Sequence, residues 1–204
     1  MSQLTYGHLK EKVLDCLFEH EHENGETVLL DNARSAAVSR MPDVVYHCLV
    51  RMFETFSVGR KTAILEFTES EKNGYVKAAL PSDFKCFDEK NGFCGVSCFY
   101  TENGYVFFAD NLFYHGSTVR VIYRALPPEI TDKTDEGFVF EISPLAFEVL
   151  VCLCALELCR AEDTSLYTKL YHKYSDLSMG LCESLPTVRR NSFYAANSKK
   201  RWTR

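Results

Sequence analysis

Apolar residues recur at helical spacing at both ends of the chain and at strand spacing in its middle. Leu9, Val13, Cys16 and Leu17 share one side of a helix expected over residues 4–20, with Glu and Lys between them. The polar run His20-Glu21-His22-Glu23-Asn24-Gly25 ends it. A second helix is predicted from an N-cap at Asp31 or Asn32. Small residues (Ala33, Ala36, Ala37) lead into Val45, Leu49, Met52, Phe53 and Phe56, again on one face. Pro42 should kink this helix or start a new one, and Gly59 should close it.

From Lys61 the period shortens to two, and strands are predicted over 62–67, 75–80, 84–88, 96–100, 105–109 and 118–124. Asn-Gly pairs at 73–74, 91–92 and 103–104 mark tight hairpin turns, because both residues accept positive φ. The expectation is an antiparallel meander of five or six short strands, ended by Leu126-Pro127-Pro128. Ser143-Pro144 then forms a helix start, an N-cap followed by proline in the first turn. The helix to about residue 160 is apolar on nearly every side, so it should be a central buried helix or be covered by a neighbouring subunit. Asp163 should cap the last helix, which carries Leu166, Tyr167, Leu170, Tyr171, Tyr174 and Leu177 and should end at Gly180. A link of about three residues makes the last two helices an antiparallel hairpin.

The fold class is therefore α+β: an antiparallel helical bundle with an inserted antiparallel β-meander and an extended C-terminal arm. Residues 1–60 hold the N-terminal helices, 61–130 the β insert and 131–185 the hairpin that completes the bundle. Residues 186–204 form the arm. Neither helix pair buries its apolar face alone, so the two must close one bundle.

Composition narrows the class. With 204 residues, 46% hydrophobic and 25% charged, the chain has the make-up of a soluble domain. The longest apolar run, 145–158, is broken by Glu148 and Glu157 and falls short of the roughly 20 residues that span a bilayer. The first residues lack the charged-then-apolar order of a secretory signal, and the nine cysteines are an odd number. Reduced thiols in a cytoplasm are expected.

Charge matters more by position than in total. The net charge is −5, yet no acidic residue follows Glu183, while Arg189, Arg190, Lys199, Lys200, Arg201 and Arg204 do. The preceding chain then holds 17 basic against 28 acidic residues, a net −11. Phe193, Tyr194 and the single Trp202 are interleaved with the basic residues of the arm. Trp, Tyr and Arg anchor interfaces, so Arg189, Arg190, Phe193, Tyr194, Lys199, Lys200, Arg201 and Trp202 are the candidate docking residues.

Catalytic and metal-binding patterns are weak. His20 and His22 lie two apart and do not share a helix face. Cys94 and Cys98, with Cys86 nearby, lack a second short ligand pair, and Cys152-Leu153-Cys154 has the wrong spacing for a redox motif. Cys48 follows His47 directly, but adjacent helical residues point apart. No nucleophile elbow or phosphate-cradling glycine loop is present. The expectation is a protein without catalysis, metal or cofactor.

Ala79-Leu80-Pro81-Ser82-Asp83-Phe84 is followed by Tyr105-Val106-Phe107-Phe108 and then by Val119-Arg120-Val121-Ile122-Tyr123-Arg124-Ala125-Leu126-Pro127-Pro128-Glu129-Ile130-Thr131. Glu141-Ile142-Ser143-Pro144 then opens the apolar helix, and Tyr167 and Tyr171-His172-Lys173-Tyr174 lie in the next. In this order, over about residues 30–180, the elements resemble head-to-tail adaptor (connector) proteins of tailed bacteriophages. The resemblance implies a virion structural protein that forms a ring, commonly of twelve copies, between the portal and the tail or a second neck protein. DNA would pass through the lumen without specific binding, and an acidic body suits that role. Such a protein is made in the host cytoplasm, ends in the virion neck and touches no membrane. The basic arm matches no particular adaptor arm. Alternatives are another tail-completion or neck ring protein, or an intracellular regulatory protein that binds nucleic acid through the basic tail.

Overall fold

The computed structural model describes residues 4–18, 27–56, 58–70, 72, 74–88, 99–109, 113, 115–159 and 163–184. It is an α+β protein, with four helices and two antiparallel sheets among the described residues. Helix α1 spans Tyr6–Phe18 and buries Leu9, Val13, Leu14 and Leu17. Helix α2 spans Thr27–Thr55 as one helix with Pro42 inside it. The expected cap at Asp31 or Asn32 is thus corrected: Val28-Leu29-Leu30 extends the helix upstream, leucine being a strong helix former. Pro42 does not start a new helix; it removes one donor from the carbonyl of Val38, a solvent-exposed residue. Gly59 does follow the helix end, and for a packing reason: a Cβ there would lie 2.2 Å from the Phe53 ring.

Strands β1 (Arg60–Glu66), β7 (Thr118–Ala125) and β4 (Phe84–Phe87) form one sheet in the order β1-β7-β4. Strands β2 (Thr68–Glu69), β3 (Tyr75–Ala79), β6 (Tyr105–Ala109) and β5 (Phe99–Glu102) form the second, in the order β2-β3-β6-β5. The strands are antiparallel as expected, but they divide into two sheets instead of one sequential meander. The first and last strands pair, Arg60 opposite Arg124 through Glu66 opposite Thr118. Odd-numbered β1 and β7 residues such as Leu65 and Val121 point inward, where they meet Phe67, Val76, Val106 and Phe108 in a sandwich core. Asn103 (φ 51°) and Gly104 (φ 78°) make the tight β5–β6 turn, and Gly74 (φ 81°) lies between β2 and β3. The third Asn-Gly pair, 91–92, and residues 96–98 of the expected fifth strand lie outside the described residues.

A strap of residues 126–143 returns from β7 to the bundle. Tyr6 N–H donates to the Phe138 carbonyl, and Phe140 N–H to the Leu4 carbonyl, both at 2.9 Å, which ties the strap to the start of α1. Helix α3 (Pro144–Leu158) follows; the Ser143 hydroxyl accepts from Ala146 N–H at 3.2 Å, the expected cap. Ten α3 residues are buried, and α1, α2 and helix α4 (Thr164–Ser184) all pack on it. A single chain therefore covers this apolar helix, and it needs no neighbouring subunit to do so. Asp163 caps α4 by accepting from Leu166 N–H at 2.9 Å. Gly180 does not end α4; the helix runs on to Ser184 with Gly180 beside Leu145, near the start of α3, so the two helices are antiparallel.

Candidate functional site

The eight candidate docking residues (Arg189, Arg190, Phe193, Tyr194, Lys199, Lys200, Arg201 and Trp202) lie outside the described residues, as do His20, His22, Cys94 and Cys98. In sequence these docking candidates follow α4, of which few described residues are buried. Of its residues, Leu170 and Leu181 are buried, while Tyr167 and Tyr171 (52% exposed) stack on each other in solvent and Met179 is exposed beyond them. The tyrosine periodicity was legible in the sequence, but it marks an outer face as well as the α3 contact.

A second feature was not anticipated. A cleft of about 430 Å³ opens where the bundle, the β1–β7–β4 sheet and the strap meet, with Phe53, Leu126, Phe138 and Ile142 among its apolar lining. At its rim Lys61 Nζ lies 3.0 Å from Asp83 Oδ2 and 2.8 Å from Glu141 Oε2. Tyr123 hydroxyl donates to Asp83 Oδ1 at 2.9 Å. Asp83 belongs to the Pro81-Ser82-Asp83 turn, Tyr123 to β7 and Glu141 to the stretch before α3. Three segments far apart in sequence thus close on one lysine. No single one of them carries a spacing signal for this, because the contacts come from tertiary approach alone.

The charges of this cluster are held in their resting states. Hydrogen bonds to Glu141 and then Asp83 raise the Lys61 pKa against the opposing effect of burial. Burial pushes the Asp83 carboxyl up, but the hydrogen bonds from Lys61 and Tyr123 outweigh it, and its pKa is lowered. Burial, followed by the bond to Asp83, raises the Tyr123 phenol. General acid–base work uses a group that exchanges its proton near neutrality. These three move away from it, so the cluster acts as a clasp between strap and sheet.

The remaining candidates separate. His47 is exposed, with Nδ1 2.8 Å from the Asp43 carbonyl, while Cys48 is buried next to Cys154. The histidine and the thiol point apart. Burial raises the pKa of Cys154 well above its ordinary value and pushes Cys152 up to about 11, which keeps both as neutral core thiols. Among the described residues no group of three or more His, Cys, Asp or Glu side chains is placed to hold a metal ion, and no helix is long and apolar enough to cross a membrane. No protein-family model matches the chain, and no curated protein matches it.

Proposed function

We propose that this chain is a head-to-tail adaptor of a tailed-phage particle, a virion structural protein that acts as a ring of identical copies between portal and tail. The observation that carries the reading is α4. It packs chiefly on α3, turns Tyr167, Tyr171 and Met179 to solvent and leads directly into the basic, aromatic arm. Exposed large apolar side chains grouped on one helix face mark association surfaces. The order of the Pro-Ser-Asp turn, the β7 strand with its Leu-Pro-Pro end and the Ser-Pro helix start supports the particular class. In this reading the acidic body lines a DNA channel without holding the DNA, and the arm residues dock on the portal. Weak individual contacts add up through the many copies of the ring.

The test is the mass of the purified protein with and without a portal ring, alongside a truncation after Leu185. The full chain is expected to join the portal stoichiometrically; the truncated chain is expected to stay folded and fail to produce filled, tailed particles. Filled, tailed particles from the truncated chain would sink the docking role of the arm. The arm's mix of arginine, lysine and aromatics also favours a second reading, a nucleic-acid-binding regulatory protein. Salt-dependent binding of RNA or DNA by the full chain, lost on truncation and accompanied by indifference to portal, would establish that reading instead.

A further inference from the structure

The outer face of the β1–β7–β4 sheet and the strap behind it carry opposite charge around similar apolar centres. Strand register puts Thr62 opposite Ile122, Ile64 opposite Arg120 and Glu66 opposite Thr118, with Arg60 opposite Arg124 at the near end. These even-numbered residues face away from the sandwich core, which takes Leu65 and Val121. Ile64 is 74% exposed, more than any other large hydrophobic among the described residues. Arg60 binds Asp88 at 2.6 Å. Arg120 and Arg124 form no ion pair with a described residue, and Glu66 is the one further carboxylate on the β1 and β7 part of this face. An apolar centre with two guanidinium groups that form no ion pair among the described residues is therefore displayed on a chain whose net charge is −5.

The strap has the complementary make-up. Residues 129–141 contain Glu129, Asp132, Asp135, Glu136 and Glu141 against Lys133 alone. Glu136 is engaged by Lys10 and Glu141 by Lys61, and Asp135 accepts from Gly137 N–H at 2.6 Å. Glu129 and Asp132 are exposed without an ion-pair partner among the described residues, and Leu126 and Val139 of the same strap are half-exposed. The two surfaces do not face each other. Glu141 reaches the sheet through Lys61, whose register partner is Tyr123, and both lie on the inward side opposite Ile64 and Arg120. Two different, complementary surfaces on opposite sides of one sheet suit a head-to-tail contact, which propagates around a ring instead of closing as a two-fold dimer.

We propose that the outer face of the β1–β7–β4 sheet docks on the strap of a second copy of this chain. Ile64 and Ile122 meet Leu126 and Val139, and Arg120 and Arg124 meet Glu129 and Asp132. The contact rests on the ring reading above and names the surfaces the ring uses.

Charge reversal tests it on the full chain by sedimentation across a concentration series at low and high salt, with and without portal. One variant carries Arg120→Glu and Arg124→Glu, the other Glu129→Lys and Asp132→Lys; Arg120, Glu129 and Asp132 are exposed and Arg124 is half-buried, and circular dichroism checks each fold. The wild type is expected to associate less as salt rises. Each variant alone should associate at least about tenfold more weakly, since like charges then meet at the contact. An equimolar mixture should regain wild-type association, because each variant offers the surface that the other has lost. Variants that form rings as the wild type does, or a mixture that stays dissociated, would overturn this contact and leave the ring reading standing. A wild type that stays monomeric with and without portal would remove the ring reading and the contact with it.

Discussion

In the bundle, α3 sends Val149, Leu150, Val151, Cys152, Leu153 and Cys154 one after another into buried surroundings, and three other helices share the burden of covering them. In the sandwich, Phe67 and Phe108 are the two largest of seven buried side chains among the described residues, the rest being Leu65, Val76, Ala78, Val106 and Val121. Their rings meet edge to face at 5.3 Å, Phe113 stacks on Phe67 at 4.8 Å and Phe99 lies 5.5 Å from Phe108. The first interior is large and spread over four helices; the second is small, with two phenylalanine rings at its centre. Burial in the bundle is shared by three helices that all meet on α3, so a loss at α3 reaches each of them. Each ring of the sandwich touches several others, so one truncation removes a large share of what holds the sheets together.

Two matched truncations give the sharpest way to break this contrast. Phe147 in α3 and Phe108 in β6 are both fully buried, and replacing either by alanine should cost about 3–5 kcal/mol. The distribution of the damage should differ. Phe108→Ala is expected to raise amide exchange throughout β3, β5 and β6 while α1, α2 and α3 keep their protection. Phe147→Ala is expected to lower protection across the whole chain, because the strap and the sheet it clasps depend on the bundle. Equal, uniform loss of protection in both variants would mean that the two cores unfold as one unit, and the comparison would fail.

The bundle was readable from sequence because its signals are local. Helical periodicity repeats within α1, α2 and α4, and the apolar run 145–158 announces a central helix regardless of its partners. Local capping chemistry was equally plain at Ser143 and Asp163. The division of the strands was not. Asn-Gly pairs report turns between neighbours in sequence, whereas β1 finds its partner in β7, with Lys61 opposite Tyr123 across the whole insert. No local pattern encodes that closure. The same limit hid the Lys61–Asp83–Glu141 clasp, whose members sit in an ordinary strand, a proline turn and a helix approach. The periodic set on α4 does not separate its buried member Leu170 from Tyr167 and Tyr171, whose rings lie at the surface.

A smaller test sharpens the bundle side alone. Ser143→Ala removes the acceptor for Ala146 N–H at the start of α3 and should lower stability by about 1 kcal/mol in urea denaturation. Because α3 is the shared centre of the bundle, the loss should appear at every bundle helix, with exchange rising first at residues 145–147. A change confined to the β strands would contradict the central position assigned to α3.

The smallest expected effect lies at the seam between the two regions. Lys61 and Asp83 are each about a third exposed, and solvent screening limits such a pair to under about 1 kcal/mol. Asp83 has a lowered pKa in the folded protein, so its contribution is present above its ordinary value and is lost as pH falls through the folded one. Lys61 has a raised pKa, so its contribution is present below its ordinary value and is lost as pH rises through the folded one. The clasp is therefore complete across neutral pH and opens at both extremes. Lys61→Met keeps the apolar stem and removes the charge. Its stability deficit, read from urea midpoints at constant slope, should be largest near neutrality and should narrow as acid protonates Asp83. Amide exchange should rise in the strap and the near end of β1 while the Phe67–Phe108 centre stays protected. A Lys61→Met protein as stable as the wild type at every pH would show that the retained apolar stem carries the contact, and that bundle and sandwich are joined by apolar surface instead of charge.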